Sequence, residues 1–416
     1  MQEQIKRPLR VLYIVYWGAN ESLGQSLVLP AITRLAMLGV RLTLVTFEKP
    51  EDLSNQTEMM KIRVLLEQHG VHWIPLRYHK RPKLPATAFD LLQGCAYSIA
   101  ARLRARPDII HARTYISGLI GLALAPLLRV KLVYHNEGFY PDEQVDAGVW
   151  KENSTPHRIA KFLERMMYEQ ADGIIALSHQ SKREIEALPN IKRKAIPVIV
   201  VPSCVDLERF QWQPSPPPSE KKMGLVYVGN VEGRYMFKAV ARFAGIAYGE
   251  TAGVSLRVLT RATPSLVASI IRAGKLPEEA WSVASVPHAT IPMELAQQQA
   301  GLHFLPRGLS EHSGSPTKVG EYWACGLPVV ITPNAGDTEQ IIRRERVGVV
   351  ISEHSDEAYR HAVGELQSLL KDPDLPQRCR HAAETHYALD PACARQVALY
   401  RKVLGAPTSN SLPAPQ

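Results

Sequence analysis

Short runs of β-branched and apolar residues alternate with helix-like patterns along the chain, and this alternation constrains the fold more than any other feature. Seven such runs precede residue 210 and six follow residue 222. Continuously apolar strands separated by helices are typical of a parallel sheet that helices cover on both faces. The sequence therefore predicts two doubly wound α/β domains, each resembling a Rossmann fold.

The predicted strands are all short, and each ends near a glycine or a polar residue. Those of the first block are Arg10–Trp17, Arg41–Phe47, Val71–Leu76, Asp108–Ala112, Lys131–His135, Gly173–Leu177 and Val198–Val201. Those of the second block are Gly224–Gly229, Ser255–Thr260, Trp281–Val286, Leu302–Leu305, Pro328–Thr332 and Val347–Ile351.

A proline-rich segment, QWQPSPPPSEKK at 211–222, separates the two blocks. Prolines cannot join a strand ladder and favour an extended spacer. We therefore predict an N-terminal domain over 1–210, a linker over 211–222 and a C-terminal domain over 223–390. A helix over 391–404 follows the second sheet, and the tail 405–416 is expected to be disordered.

Composition narrows the classes of partner. The net charge is +9, and most of the excess lies in residues 1–210. A basic domain suits a phosphorylated substrate or an anionic membrane surface, although a basic solvated surface is an equally good interpretation. Nucleic acid is disfavoured, because no basic cluster is interleaved with aromatic residues.

Cysteine usage and hydropathy indicate the compartment. The five cysteines are odd in number, widely spaced and without a CxxC pair, which favours a reducing environment over a disulfide framework or a zinc site. The longest apolar stretch, Ile116–Leu128, is shorter than the roughly 20 residues that a membrane span needs. We expect a cytoplasmic protein with at most a peripheral contact on the inner face of the membrane.

Ligands of doubly wound sheets bind beyond the carboxyl ends of the strands, so the residues after each strand are the candidates. Gly18 to Ser26 follow the first strand and include Gly24 at the start of a helix, which suits a phosphate but also a plain turn. His135 to Glu143 follow the fifth strand and crowd a histidine with three carboxylates, a set that can orient hydroxyl groups or exchange protons. Asp142 and Glu143 fit a helix cap equally well.

The densest motif is SGSPTKVGEYWACGLPVV at 313–330. Ser315, Pro316 and Thr317 are typical of a helix N-terminus, whose amides can receive a diphosphate. Lys318 adds a positive charge, and Glu321 lies one turn further on a similar face, where it can accept hydrogen bonds from a ribose.

This motif resembles the donor-binding helix of retaining glycosyltransferases of the GT-B fold, in particular the family 4 group. Further stretches agree, and the resemblance extends over roughly residues 8–405. They are MLGVRLTLVTF at 37–47, PDIIHARTY at 107–115 (which contains Arg113), ADGIIALS at 171–178 and IPVIVVPSCVDLERF at 196–210.

The resemblance implies a cleft between the two domains, closed by a C-terminal helix that crosses back to the N-terminal domain. It implies a nucleoside-diphosphate sugar as donor, a sugar or lipid-linked acceptor, no required metal and retention of the anomeric configuration. By the resemblance, His135 lies beside the transferred sugar, Gly24 meets the diphosphate and Glu321 holds the ribose. Arg113, Asp142 and Glu143 are candidates for the acceptor side.

The sequence departs from the family pattern on the phosphate side. The first of the family's paired glutamates falls at Ser313, and its Arg and Lys after the first strand of the second domain fall at Asn230 and Tyr235. Arg234, Lys238 and Lys318 are the candidates to supply the missing charge. A subgroup of bacterial surface-polysaccharide enzymes resembles this variant pattern.

Two alternatives stay open from the sequence. One is a nucleotide-sugar epimerase of the same fold, for which the cluster from His135 to Glu143 is the sole acid–base candidate. The other is a catalytically degenerate nucleotide-binding protein, which Ser313, Asn230 and Tyr235 favour.

Overall fold

The structure is a computed structural model that describes residues 8–212, 223–233, 235–306, 308, 310, 313–333 and 336–405. Most of the predicted linker, the candidate Arg234 and the tail 406–416 lie outside the described residues.

The first sheet has seven parallel strands in the order β3-β2-β1-β4-β5-β6-β7. Its strands are β1 Arg10–Val15, β2 Arg41–Glu48, β3 His72–Arg77, β4 Ile109–Arg113, β5 Lys131–His135, β6 Gly173–Ala176 and β7 Val198–Val200. The second sheet has six parallel strands in the order β10-β9-β8-β11-β12-β13. Its strands are β8 Met223–Val228, β9 Val254–Leu259, β10 Trp281–Ala284, β11 Ala300–His303, β12 Val329–Ile331 and β13 Gly348–Val350.

Helices connect the strands in both sheets. In the first half they are α1 Leu29–Met37, α2 Pro50–Ser54, α3 Gln56–Gln68, α4 Lys83–Ala105, α5 Tyr115–Leu128, α6 Tyr140–Asp146, α7 Thr155–Gln170, α8 His179–Ala187 and α9 Pro189–Lys194. In the second half they are α10 Phe237–Glu250, α11 Pro264–Ala273, α12 Ile291–Leu295, α13 Thr317–Ala324, α14 Thr338–Glu345, α15 Asp356–Leu369, α16 Leu375–His386 and α17 Leu389–Val403.

The predicted fold class is confirmed: the chain contains two parallel, doubly wound sheets. All thirteen predicted strands are present, with ends that differ by at most two residues. A π-helical turn at Gly24–Val28 precedes α1. Such turns are rare and occur frequently at functional sites.

Each sheet has an apolar core on both faces, since successive side chains of a strand point to opposite sides. In β1, Val11 and Tyr13 belong to one core, and Leu12 and Ile14 to the other. This double burial explains why the strands are apolar without alternation.

The last helix packs on the first sheet, not on the second. Leu389, Cys393, Val397 and Tyr400 of α17 are buried in the core that contains α1. Just before α17, the Val205 backbone N–H donates to the Tyr387 carbonyl at 2.8 Å. The chain thus returns to the N-terminal domain after the second sheet is complete.

Polar contacts also join the two halves. The His179 backbone N–H donates to Asp337 at 2.7 Å, and the Ser203 N–H donates to the Ser315 hydroxyl at 3.0 Å. The Ser310 N–H donates to Asp146 at 3.0 Å. Within the described part of the chain, no helix has both the length and the apolar character that a bilayer span requires.

Two glycines of α10 give a matched test of the packing. A Cβ on Gly245 would lie 1.9 Å from the Gly274 carbonyl oxygen, whereas a Cβ on Gly249 would meet nothing within 4 Å. We expect Gly245→Ala to lower the free energy of unfolding by about 1–3 kcal/mol through overpacking. Gly249→Ala should raise it by up to about 1 kcal/mol, because glycine is a poor helix former. Urea denaturation of both variants checks this, and equal stabilities would contradict the packing described.

Candidate active site

A cleft of about 1240 Å³ lies between the carboxyl ends of the two sheets. Residues that follow strands of both sheets line it, as expected for doubly wound folds. Among its described lining residues are Trp17, Asn20, Glu21, Lys49, Thr114, Glu137, Gly138, Tyr140, Glu143, Gly229, Tyr235, Arg261, Ser285, His288, Thr317, Lys318 and Glu321.

Helix α13 begins in this cleft. Thr317 and Lys318 of its first turn line the cavity, and a first helical turn has backbone N–H groups without intrahelical partners. The rest of the helix is buried: the Tyr322 hydroxyl accepts from the Val228 N–H at 3.0 Å, and the Trp323 indole donates to the Val347 carbonyl at 3.0 Å. The helix N-terminus is therefore held rigidly at the edge of the second sheet.

Glu321 is only 5% exposed, and its carboxylate still lines the cleft. Its Oε1 lies 2.9 Å from His288 Nε2, and the His288 ring packs 5.5 Å from Phe210. The segment 285–288 lines the cleft as well. The contact of the His288 side chain with Glu321 was missed, because 33 residues separate the pair in sequence.

Lys318 lies over two tyrosine rings. Its Nζ is 5.1 Å from the Tyr227 ring centroid and 4.6 Å from that of Tyr235, distances typical of cation–π contacts. Gly229 leaves room for the ammonium group, since a Cβ there would lie 2.6 Å from Nζ. Tyr235 stands where the family pattern has a lysine, so the cation of Lys318 occupies the region of the missing charge. Lys238 is exposed on α10, outside the cleft lining.

Ser313 is fully buried, and its hydroxyl bonds within the protein. It donates to the Ser310 carbonyl at 2.7 Å and accepts from the Phe139 N–H at 3.3 Å. Gly138, next to Phe139, leaves room for the Glu143 carboxylate, because its φ is +155° and a Cβ would lie 2.3 Å from Glu143 Oε1. Where the family pattern has a glutamate, this chain therefore has a hydroxyl that joins the two domains.

Gly24 lies beneath the loop that follows β1. A Cβ on Gly24 would lie 2.0 Å from the Gly18 carbonyl oxygen, so only glycine fits. The Ala19 and Asn20 N–H groups donate to the buried Glu48 carboxylate at 2.7 and 3.3 Å. Burial raises the pKa of Glu48 above its ordinary value. Glu48 thus holds the glycine loop from behind, while Asn20 and Glu21 line the cleft.

His135 is 1% exposed at the end of β5, just behind the cleft surface. Its Nδ1 lies 3.2 Å from His111 Nε2, and its Nε2 lies 3.3 Å from Glu137 Oε1. Arg113 Nε donates to the same Glu137 oxygen at 2.5 Å. Burial, aided by the nearby charge of Arg113, holds the pKa of His135 well below its ordinary value. His135 is therefore a neutral group that contacts a cleft-lining carboxylate.

The two remaining candidates face different ways. Asp142 accepts from Lys161 at 2.8 Å and lies 3.5 Å from His157, so it points toward α7. Glu143 lines the cleft. Among the candidates, the structure thus brings Thr317, Lys318, Glu321 and Glu143 to the cleft surface and places Gly24, Arg113, His135, Asp142 and Ser313 behind it or outside it. Cations that sequence reasoning missed also line the cleft, namely Lys49, Arg209 and Arg261.

Two family models match the chain. Residues 27–209 match Glycosyltransferase Family 4, and residues 287–386 match Glycosyl transferases group 1. No curated protein matches the chain.

Solved structures share the fold over nearly the whole chain. Sucrose-phosphate synthase from Thermosynechococcus elongatus matches with a TM-score of 0.68 and 16% identity, over 95% of this chain and 99% of that one. Anabaena HepE in complex with UDP-glucose matches with a TM-score of 0.60 and 16% identity, over 94% and 99%. WaaG, a glycosyltransferase involved in lipopolysaccharide biosynthesis, matches with a TM-score of 0.63 and 14% identity, over 95% and 100%.

The two family models and the two facing sheets agree with each other. The chain belongs to the family 4-like glycosyltransferases of the GT-B fold. The epimerase alternative is not favoured, because both matching family models describe glycosyltransferases.

Proposed function

We propose that this glycosyltransferase moves a sugar from a nucleoside-diphosphate sugar to a sugar or lipid-linked acceptor, with retention of configuration, in the synthesis of a bacterial polysaccharide or glycolipid. The observation that carries the proposal is the start of α13, which brings Lys318 and Glu321 together in a cleft shared by both domains. HepE binds UDP-glucose in a structure of the same fold, which supports a nucleotide sugar as the donor class.

The donor fits the C-terminal side of the cleft. The diphosphate binds at the N-terminus of α13, where the helix dipole and Lys318 attract negative charge. Glu321 accepts hydrogen bonds from the ribose hydroxyls, and His288 orients the carboxylate. The base lies along the segment 285–288.

Transfer needs stabilisation of the departing diphosphate more than it needs a base. Lys318 and the α13 amides are preorganised for the charge that develops as the glycosidic bond breaks. The acceptor enters from the N-terminal side, past Thr114 and Glu143, and attacks on the face that the diphosphate leaves. Since these positive groups come from the chain itself, we propose that the reaction proceeds without a divalent cation.

The outer face of α4 supports a lipid-linked acceptor at a membrane surface. Along this 23-residue helix the exposed large side chains include Leu84, Leu92 and Leu103, which are 82%, 72% and 78% exposed. Phe89 and Ile99 are exposed as well. A continuous exposed apolar face of this length marks a surface that another apolar phase covers.

The basic residues around α4 favour an anionic bilayer as the apolar phase that covers this helix. Lys80 and Arg81 are exposed before the helix, and Arg104 and Arg106 are exposed at its end. Asp90 is the single acidic residue between 80 and 106, and it is buried, where it accepts from Tyr16 at 2.7 Å. Basic residues near an anionic membrane contribute about 1 kcal/mol each.

The donor assignment is tested by Glu321→Ala. Losing the charge-assisted hydrogen bonds to the ribose should weaken nucleotide binding by about 1.5–3 kcal/mol. Titration calorimetry with UDP, GDP, ADP and dTDP, in the presence of EDTA, measures the change on the nucleotide that the wild type binds. Glu279→Ala, at an exposed site outside the cleft lining, is the matched control and should bind as the wild type does. Unchanged affinity in Glu321→Ala, in a variant whose melting temperature is also unchanged, would remove the assignment.

The membrane surface is tested by the double variant Leu92→Glu/Leu103→Glu. Because each leucine contributes about 1.5–3 kcal/mol when buried, the variant should lose at least tenfold in binding to phosphatidylglycerol-containing vesicles. Cosedimentation at low salt measures this binding. Met60→Glu, at an exposed position of α3 on the opposite face of the sheet, is the control and should bind like the wild type. Equal binding by the double variant, or dimerisation through α4 without vesicle binding, would overturn the proposal.

A further inference from the structure

The outer edge of the first sheet has a groove at β7. This edge strand pairs with β6 on one side, and α9 and α17 flank its other side around a cavity of about 680 Å³. The floor of the groove is apolar and includes Ile191, Ile196, Val198, Ile199 and Leu399. Within the described part of the chain, the groove and the cleft have no lining residue in common.

The backbone of β7 leaves polar groups at this edge. The Pro197 carbonyl and the Val201 N–H both bond to β6, so alternate residues of this stretch face that neighbour. Val198 and Val200 therefore point their N–H and C=O groups away from β6. Arg395 of α17 donates to the Val200 carbonyl at 3.2 Å. Among the described residues, no group outside the sheet bonds to the Val198 backbone.

Basic residues surround this groove. Lys192 of α9 line it together with Arg395 and Lys402 of α17. The segments 182–194 and 391–402 contain eight Lys and Arg residues and two glutamates, a net charge of +6 out of the chain's +9. No carboxylate of the described residues pairs with Lys192 or Lys402. The groove therefore attracts an anionic group.

The positions of these cations favour a narrow ligand over a bilayer. Helix α9 packs on the face of the sheet that carries α5 and α7, because Ile191 belongs to their core. Helix α17 packs on the opposite face with α1. A flat bilayer can lie against one of these faces, whereas Lys192 and Lys402 come from both faces and line the same groove. An extended segment that lies along the edge strand contacts both.

We propose that this groove binds an extended acidic segment of a partner protein, which adds to β7 as an eighth strand of the sheet. The outward N–H and C=O of Val198 form the main-chain hydrogen bonds, the apolar floor receives alternate side chains, and the cations of the rim pair with the acidic ones. Strand Val198–Val200 lacks the charged side chains with which edge strands often prevent such addition. This surface lies outside the cleft, so the proposal does not rest on the proposed sugar transfer.

A labelled peptide tests the groove in the full-length protein. The probe is a fluorescein-labelled heptapeptide of alternating glutamate and valine. Its control has the same charge but prolines in place of the valines, which removes N–H groups that a strand needs. Fluorescence anisotropy at low salt should show at least tenfold tighter binding of the alternating peptide than of the proline peptide.

Charge reversal tests the rim of the groove. Lys192→Glu/Lys402→Glu should weaken binding of the alternating peptide at least tenfold, because two attractive charges become repulsive. Lys238→Glu/Lys371→Glu, which makes the same change in charge at exposed sites of the other domain, should bind as the wild type does. Equal affinity for the two peptides, or an equal loss in the two double variants, would overturn the proposal.

Hydrogen exchange tests whether the peptide adds as a strand. At saturation, the alternating peptide should slow exchange of the outward Val198 and Val200 amides, because both become hydrogen-bonded or covered. Unchanged exchange at Val198 in the bound state would overturn the proposal. Binding of phosphatidylglycerol vesicles that Lys192→Glu/Lys402→Glu abolishes, without any binding of the peptide, would also overturn it, because the groove would then belong to a bilayer contact.

Discussion

The burial of α13 against the second sheet is the interaction on which the donor side of the cleft depends. Tyr322 and Trp323 each bury an aromatic ring and bond a backbone group, at Val228 in β8 and at Val347 just before β13. These contacts fix the first turn of the helix at the carboxyl edge of the sheet, where its amides, Lys318 and Glu321 meet the cavity. A preorganised helix N-terminus stabilises a diphosphate without reorganisation during the reaction. The departures from the family pattern near the diphosphate site fit this arrangement. Gly229 leaves room for the Lys318 ammonium group, and the Tyr235 ring packs against it.

The acceptor side of the cleft depends instead on contacts between residues that lie far apart in sequence. Helix α17 follows the second sheet but places Tyr400 in the core of the first, against His111. Ser313 of the second half likewise holds the loop that contains Phe139. Each half of the molecule therefore supplies polar groups that shape the other half, so the cleft is built by both domains.

The two sheets could be predicted from the sequence, whereas the side-chain contacts of the cleft could not. Strands buried on both faces are continuously apolar, so all thirteen could be read from the sequence, and the motif at 313–330 located the helix that begins in the cleft. The features that the sequence did not predict are contacts between residues that lie far apart in the chain. The Glu48 carboxylate accepts a hydrogen bond from the backbone of the glycine loop, and His288 contacts Glu321, which lies 33 residues further along the sequence. The family resemblance also placed Ser313 at the position of a donor-site glutamate, but the sequence does not show that its hydroxyl bonds to the Ser310 carbonyl and the Phe139 N–H. Such pairings depend on which loops the topology brings together.

The central claim is that the cleft transfers a sugar from a nucleoside-diphosphate sugar with retention. The most direct measurement is ¹H NMR of the purified protein with UDP-, GDP-, ADP- and dTDP-linked sugars in turn, in EDTA, with water as the surrogate acceptor. We predict slow consumption of one donor, release of its nucleoside diphosphate, and a first-formed sugar with the anomeric configuration of the donor. A first-formed product of inverted configuration, or no donor consumed across the whole panel, would contradict the account.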